Sequence, residues 1–192
     1  EARLFEVGKV YSGSDEVTTL GIGLMGGKSK VSLLEAKGVF EALFNKLGIT
    51  TVQFVCSPQS FLASGKAFSI QLANQEIGFL GELGSAVGNA FDFKHQRISV
   101  GQLNLEAVLK SVRWQKTITP LINFPLIRRD ISLIIENKIT SGQLVELLQK
   151  EAGPLLIRIS LSDQYSGEQI PAGYKGLTYC LELQAKERTL SD

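Results

Sequence analysis

The sequence is poor in the residues from which metal sites, disulfides and nucleophilic active sites are built. It has one histidine, His95, and two cysteines, Cys56 and Cys180, which lie 124 positions apart. Neither cysteine belongs to a CxxC pair or a Cys/His cluster, so the sequence predicts buried free thiols in a reducing compartment. No nucleophile is suggested beside His95 and nearby Asp92, so we interpret His95 as a surface residue. Zinc binding and a catalytic triad are therefore disfavoured.

Long apolar runs and a charge excess are also missing. No apolar stretch reaches the roughly 20 residues that span a bilayer, and the opening EARLFEVGKV is charged where a signal peptide is apolar. The net charge is +1, with 12 basic against 10 acidic residues in 1–116 and 8 against 9 in 117–192. We expect no membrane partner. The near-neutral charge supports no strong electrostatic claim, so any nucleic acid would bind through a local patch or as part of a larger assembly, and a DNA partner is not expected.

Apolar patterns divide the chain into two blocks, of which the first is residues 1–116. RLFEVGKVY and EVTTLGIGLMG alternate like paired strands around the turn SGSDE, and further strand patterns follow in TTVQFVCS, AFSIQLA, EIGFLGEL and RISVGQLNL. A helix is predicted after Ser32, which forms an S-x-x-E capping box with Glu35, and Gly48 is predicted to end it. EAVLKSVRW suggests a second, short helix. Strands outnumber helices, so we predict a mainly antiparallel α+β domain.

The second block follows a linker. Residues 117–127 contain Pro120 and Pro125 and show no helical period, so they are predicted to connect the blocks. Residues 128–192 then have the order β–α–β–β, formed by RRDISLIIE, a helix capped by Thr140 and Gln143, LLIRISLSDQY and LTYCLELQA.

Strict alternation predicts one apolar and one polar face for the second sheet. The apolar face is predicted to hold Ile131, Leu133, Ile135, Ile157, Ile159, Leu161, Leu177, Tyr179, Leu181 and Leu183. The helix is expected to cover this face through Leu144, Leu147 and Leu148. The polar face lacks the stacking aromatics of a typical RNA-binding sheet, which argues against autonomous binding of single strands.

Three motifs in the first block resemble catalytic signatures but fail on spacing. GIGLMG, from Gly21 to Gly26, matches G-x-G-x-x-G inside a strand pattern with no helix directly after it, so we interpret it as a strand and turn. GGKS, residues 26–29, ends like a P-loop, but the required glycine at position 22 is Ile22. Glu82 has no second acid at a suitable distance, so a catalytic carboxylate is not predicted.

The connection DQYSGEQIPAGYKGL carries the clearest binding chemistry. Asp163 and Tyr165 share a parity at a strand end, Arg188 lies beyond the next strand, and Arg129 opens the second block. A carboxylate can accept hydrogen bonds from a base edge, a tyrosine can stack on the base, and an arginine can meet a phosphate. From chemistry alone, a structural turn with solvated strand ends remains the competing interpretation.

Five segments, in order, resemble the C-terminal region of the bacterial phenylalanyl-tRNA synthetase β subunit: RLFEVGKVY, EIGFLGELGSAV, FPLIRRDISLII, DQYSGEQIPAGYKGLTYCLEL and ERTLSD. The resemblance covers nearly the whole chain, and its combination of F-P-x-x-R-R-D, D-x-Y-x-G and E-R-T-L is specific. It implies a first domain with the antiparallel sheet of class II synthetases and no working active site. It also implies a second, ferredoxin-fold domain that binds an anticodon and is truncated before its last helix and strand.

The resemblance also implies a function. The chain would be part of phenylalanine–tRNA ligase, which couples ATP to the aminoacylation of tRNA-Phe in a cytoplasmic α2β2 assembly. Phenylalanine activation, with ATP and Mg²⁺, belongs to the α subunit in that family. The chain is therefore expected to hold no cofactor, to support the α/β interface, and to be inactive alone.

Candidate RNA contacts follow from the family's motifs. There, the D-x-Y pair and a serine that ends a G-K-K-S motif lie near the anticodon. Asp163 and Tyr165 match the pair, and Lys175 matches the second lysine, whereas Tyr174 replaces the first lysine and Gly176 replaces the serine. The resemblance implies that Asp163 and Tyr165 contact the anticodon, and the further candidate RNA contacts are Tyr174, Lys175, Arg188 and Arg129.

An alternative function stays open at this point. The near-neutral charge and the lack of aromatics on the sheet favour a non-catalytic module without an RNA role. Its ferredoxin-like half would then bind a protein or a small ligand.

Overall fold

The computed structural model describes residues 1–13, 15–26, 33–93, 96–113, 122–167 and 169–190. The chain divides into two compact units, Glu1–Thr117 and Ile118–Asp192. Residues 117–121 of the predicted linker, like Ser32, the GKS of GGKS and His95, lie outside the described residues. A strand begins inside the predicted linker range, at Ile127.

The first unit is built on one antiparallel sheet. Its strands are β1 (Ala2–Ser12), β2 (Asp15–Met25), β3 (Val52–Cys56), β4 (Leu62–Leu72), β5 (Gln75–Leu83) and β6 (Ile98–Asn104). The strand order is β1-β2-β6-β5-β4-β3, and each neighbouring pair is antiparallel. The predicted β1–β2 hairpin and the antiparallel α+β class are confirmed.

Helix α1 (Leu33–Lys46) covers the sheet with an apolar face. Its period places Ala36, Phe40 and Phe44 in the buried core. Gly48, at φ +71°, ends it as predicted: its N–H donates to Asn45 O at 3.2 Å, and Ile49 N–H donates to Phe44 O at 2.9 Å. These two bonds satisfy carbonyls that the helix end leaves without partners.

Two shorter helices complete the first unit. Helix α3 (Leu105–Leu109) confirms the predicted short helix and is capped by Asn104, whose side chain accepts from Ala107 N. Helix α2 (Ser85–Ala90) was not predicted, because its six residues, SAVGNA, have small side chains and are too few to show an apolar period. The core between the helices and the sheet includes Leu24, Ile49, Ile70, Leu72, Ile77, Leu80, Leu103 and Val108.

The second unit confirms the predicted β–α–β–β order. It consists of β7 (Ile127–Glu136), α4 (Ser141–Ala152), a short 3-10 turn (Gly153–Leu155), β8 (Leu156–Tyr165) and β9 (Tyr174–Leu183). The sheet is antiparallel in the order β7-β9-β8, so β9 is the central strand.

The predicted cap of α4 is confirmed. Thr140 Oγ1 accepts from Gln143 N at 3.2 Å, and Gln143 Oε1 accepts from Thr140 N at 2.9 Å. The packing face differs from the prediction, because Leu147 is largely exposed and Val145 packs against the core together with Leu144 and Leu148.

Within the part of the chain that the structure covers, none of the helices combines the length and hydropathy that crossing a bilayer requires.

Candidate nucleic-acid interface

The sheet of the second unit has one face covered by α4 and one face open. Leu177, Tyr179 and Leu181 on β9 are buried on the covered side with Leu144 of α4. Residues that are directly paired across strands project to the same side of a sheet. The open face therefore consists of the four rows Arg128–Glu182–Arg158, Asp130–Cys180–Ser160, Ser132–Thr178–Asp163 and Ile134–Gly176–Tyr165, and of the pair Glu136–Tyr174.

Two bulges in β8 determine which of its residues reach the open face. The pairing moves from Leu156↔Leu183 to Arg158↔Glu182, and later from Leu161↔Tyr179 to Asp163↔Thr178. Each step inserts one extra residue, Ile157 and Ser162 respectively, and an extra residue reverses the alternation of side chains beyond it. Asp163 and Tyr165 consequently join the open face.

Strict alternation was therefore wrong for part of β8. It assigned Ile157 to the apolar face, but Leu156 packs against the core and Ile157 is half-exposed. Continued beyond Leu161, strict alternation would also place Asp163 and Tyr165 with Ile159 on the covered side. Neither bulge is marked by a glycine or a proline, so the sequence pattern gives no local signal for them.

The acid–aromatic pair is placed for contact with a ligand. Asp163 is exposed, and Tyr165 keeps 46% of its surface exposed. A Cβ atom added to Gly167 would lie 2.1 Å from Tyr165 Oη and 2.4 Å from its Cζ. Gly167 therefore leaves room for the ring of Tyr165, and a larger residue there would displace it.

Tyr174 is the second aromatic residue of the open face. It lies on the same face of β9 as Gly176 and Thr178, and 41% of its surface is exposed. Tyr165 pairs with Gly176, so Tyr174 is its diagonal neighbour across the strands. The predicted lack of aromatics on this face is therefore wrong at the end of the sheet that carries Tyr165.

Three predicted contacts lie elsewhere. Lys175 projects from the opposite face of β9 to Tyr174, and its Nζ donates to Asn137 O at 3.2 Å. Arg129 pairs with Leu181 of the covered side, and its Nη1 donates to Arg128 O at 3.2 Å. Arg188 is exposed in the bend after β9. The structure brings Asp163, Tyr165 and Tyr174 together, and it does not place Lys175, Arg129 or Arg188 with them.

The far end of the open face carries cations that sequence reasoning did not single out as contacts. Arg128 and Arg158 flank Glu182 in one row, and Arg128 Nη2 lies 2.9 Å from Glu182 Oε1. Both arginines are exposed. With Asp130 in the next row, two acids and two arginines share this end of the face, and the exposed guanidinium groups are the ones that can meet phosphate oxygens.

Cys180, at the middle of the open face, is a poor nucleophile. Desolvation by burial and a hydrogen bond to Asp130 raise the pKa of the thiol, and the Arg128 guanidinium opposes that shift without cancelling it. A raised pKa lowers the thiolate fraction at neutral pH, and the thiolate is the reactive form. The residue therefore serves the surface as a small neutral side chain.

The first unit offers structural explanations for its remaining motifs. Gly21 and Gly23 lie inside β2, paired with both β1 and β6, which confirms GIGLMG as a strand. Lys66 Nζ donates to both carboxylate oxygens of Glu82, each at 2.9 Å, and forms an ion pair between β4 and β5. No group of three or more His, Cys, Asp or Glu side chains in the described ranges could hold a metal ion.

Comparisons with known proteins agree with the two-unit division. Residues 1–105 match the profile of the phenylalanyl tRNA synthetase beta chain CLM domain, and residues 123–192 match that of the ferredoxin-fold anticodon binding domain. The phenylalanine–tRNA ligase beta subunit of Carboxydothermus hydrogenoformans is 32% identical over 98% of this chain and 25% of its own length. The beta subunit of Clostridium acetobutylicum is 29% identical over 100% of this chain and 25% of its own length. The beta subunit of Bacillus subtilis is 30% identical over 87% of this chain and 21% of its own length.

The chain thus spans about a quarter of the length of the first of these curated relatives. Among solved structures, a pyrrolysyl tRNA synthetase from Desulfitobacterium hafniense overlays on 56% of this chain and 39% of its own, at 19% identity and a TM-score of 0.42. That score is too low to carry an argument.

Proposed function

The chain belongs to the phenylalanyl-tRNA synthetase β-chain family, and from that premise we propose that it acts as part of a phenylalanine–tRNA ligase. The ligase would use ATP to join phenylalanine to tRNA-Phe in the cytoplasm, within an α2β2 assembly. The second unit would contact the anticodon, and the first would contact the α subunit. ATP, Mg²⁺ and the chemical step would belong to the α subunit, so this chain alone would not charge tRNA.

The observation that carries the RNA role is the position of Asp163 and Tyr165. A bulge turns both toward the open face, within the residues that match an anticodon-binding profile. Unstacked bases are bound by stacking on aromatic rings and by hydrogen bonds to their edges. Tyr165 supplies the ring, Asp163 can accept from an amino group of the base, and Arg128 and Arg158 can meet the backbone.

Replacing Tyr165 by alanine in the assembled ligase should weaken tRNA binding by about 1–3 kcal/mol, roughly 5- to 150-fold in Kd. The loss arises because a stacked base loses its platform. Fluorescence anisotropy with labelled tRNA-Phe measures the change. Tyr165→Phe keeps the ring and serves as the matched control, which should bind almost as tightly as the unaltered protein. Unchanged affinity in Tyr165→Ala would reject the assignment and favour a structural strand end.

The edge strand of the first unit supports the proposed contact with the α subunit. β1 lies at one edge of the sheet and exposes large apolar side chains on both of its faces, Phe5, Val7 and Tyr11 on one and Leu4 and Val10 on the other. Edge strands of monomeric proteins are usually short, charged or covered, and contiguous exposed apolar patches commonly mark interfaces. This surface therefore fits a protein partner, and the α subunit is the occupant that the proposed function supplies.

A charge on β1 should disrupt that contact without unfolding the unit. Phe5 is 78% exposed, and Phe5→Asp should lower the recovery of the α subunit in copurification, by about 30-fold in affinity if Phe5 is a central contact. Leu34→Asp is the control, because Leu34 is 76% exposed on α1. Equal recovery of the α subunit by the two variants would show that another surface makes the contact.

A further inference from the structure

The sheet of the first unit has a face turned away from α1. On the other face, Leu24 of β2 and Leu103 of β6 lie in the buried core together with α1. Directly paired residues project to the same side of a sheet. The face turned away from α1 therefore holds the rows Leu4–Gly23–Val100 and Glu6–Gly21–Gln102 across β1, β2 and β6. The middle residue of both rows is a glycine of the motif GIGLMG.

The two glycines leave open space above β2. A Cβ atom added to Gly23 would meet no atom of the described residues within 4 Å, and one added to Gly21 would lie 4.0 Å from Glu6 O. A glycine inside a strand weakens it and often marks a place where a ligand or another chain comes close to the backbone. We call this space the glycine groove. Gly21 and Gly23 form its floor, and the flanking residues of the two rows form its walls: Leu4 and Glu6 on β1, and Val100 and Gln102 on β6.

The glycine groove has the width of one side chain. The backbones of β1 and β6 lie two strand spacings apart, about 9.6 Å, and side chains from both strands narrow that gap. The floor from Gly21 to Gly23 is about 7 Å long, which is the rise of two strand residues. An unbranched side chain lying along β2 fits this space, whereas an α-helix, about 10 Å across, does not.

The two ends of the groove differ in chemistry. At the Gly23 end the walls are apolar, since Leu4 is 70% exposed and Val100 is partly buried. At the other end the walls are the carboxylate of Glu6 and the amide of Gln102, which both offer oxygen acceptors. An occupant therefore needs an apolar stem and a head that carries hydrogen-bond donors.

The charge of this face favours a cationic head. A Cβ atom added to Gly8 would lie 3.8 Å from Glu6 Oε1, so the carboxylate leans along β1 over a position that has no side chain. None of the ion pairs within the described residues involves Glu6. Both cations of β1, Arg3 and Lys9, project to the α1 side. Of the described side chains that β1, β2 and β6 turn toward the groove, none is basic.

We propose that the glycine groove binds the side chain of an arginine from a protein partner. Its methylene stem lies over Gly23, between the apolar walls, because long cationic side chains keep their stems on apolar surface. Its guanidinium lies over Gly21 and donates to Glu6 and to the amide oxygen of Gln102. Arginine fits better than lysine, because its planar head can lie flat on the glycine backbone and has donors for both acceptors. The inference rests on the proposed contact of β1 with a protein partner, since β1 forms one wall of the groove.

The test uses the whole chain and a small probe, Nα-acetyl-arginine amide, which is titrated while backbone amide signals are followed by NMR. The signals of Gly21 and Gly23 should shift and saturate, with a Kd on the order of 1 mM for a ligand of this size. The corresponding citrulline amide has a similar shape without the charge and should bind about tenfold more weakly. The lysine amide should bind about threefold more weakly, because its compact ammonium lacks the planar fork.

Substitutions in the groove separate it from other acidic surface. Glu6→Gln should raise the Kd of the arginine probe about tenfold, because it removes the charge from one acceptor. Gly23→Ala should raise it by a similar factor, since the added methyl group occupies the floor. Glu41→Gln is the matched control and should leave Kd unchanged, because Glu41 is an exposed acid on α1. Thermal melting of each variant checks that the first unit stays folded.

Two outcomes would overturn the groove as an arginine site. One is the absence of saturable shifts at Gly21 and Gly23, and the other is an equal loss of affinity in Glu6→Gln and Glu41→Gln. The titration contains no partner protein, so either outcome leaves the proposed contact of β1 standing. That contact is tested separately by the copurification of Phe5→Asp.

Discussion

Replacing Tyr179 by alanine is expected to destabilise the second unit strongly. Tyr179 is fully buried in the central strand, and its Oη lies 2.7 Å from Ser141 Oγ at the start of α4. Truncating a buried aromatic side chain costs about 3–5 kcal/mol, because it removes buried surface and leaves a cavity. A unit of this size is stabilised by about 4–11 kcal/mol in total, so the loss consumes much of its stability. Urea denaturation followed by circular dichroism measures the change.

Tyr179→Phe separates packing from hydrogen bonding. It retains the ring and removes only the hydroxyl, so we expect a loss of about 1 kcal/mol. Ser141 is partly exposed and can replace the lost partner with water. If Tyr179→Ala were no less stable than Tyr179→Phe, the ring would not organise the core. Because the open face exists only when the sheet is folded, Tyr179→Ala should also weaken RNA binding in proportion to the fraction of chain that it unfolds, without removing an RNA contact.

The second large effect is expected at Gly78 in the first unit. A Cβ atom there would lie 2.0 Å from Gln102 O, 2.9 Å from Gln102 C and 3.0 Å from Leu103 Cα. All three atoms belong to the backbone of β6, so no side-chain rotation relieves the clash. Gly78→Ala should cost about 3 kcal/mol or more, because β5 must move away from β6 at the centre of the sheet. Chemical denaturation, followed through a spectroscopic signal of the first unit, measures this loss of stability.

Gly23→Ala is the matched control for Gly78→Ala. Gly23 also lies within a strand, β2, but a Cβ atom added to it would meet nothing within 4 Å. Alanine is favoured over glycine in a strand interior by roughly 0.5 kcal/mol, because it has less conformational entropy to lose. Similar destabilisation of both variants would mean that strand geometry, rather than the contact with β6, determines the cost at position 78.

The sequence predicted helices and strands well where the determining residues lie close together in the chain. The apolar period and Gly48 predicted the face and the end of α1, and the Thr140–Gln143 pair predicted the start of α4. The strand order of the first sheet was beyond reach, because nothing near β6 in the sequence shows that it pairs with both β2 and β5. Such pairings depend on packing between residues that are far apart in the chain.

The candidate site was predicted in its residues but not in its geometry. The D-x-Y motif indicated Asp163 and Tyr165, yet only the bulge at Ser162 places them on the open face. Lys175 follows Tyr174 in the segment that matches G-K-K-S, but it projects away from the open face, because neighbouring residues of a strand alternate between its two faces. Ile134 was not singled out as part of the site, although strict alternation in β7 places it on the face opposite Ile131, Leu133 and Ile135.

The strand orders have a consequence for synthesis on the ribosome. In the described part of each unit, the strand that comes last in the sequence, β6 or β9, lies between two earlier ones. The β1–β2 hairpin and the β3–β4–β5 meander can each form early from local contacts, but they have no common partner until β6 emerges, and β7 likewise waits for β9. A nascent chain halted before either strand would therefore expose apolar sheet surface, so uninterrupted translation through Asn104 and Leu183 protects the chain from aggregation.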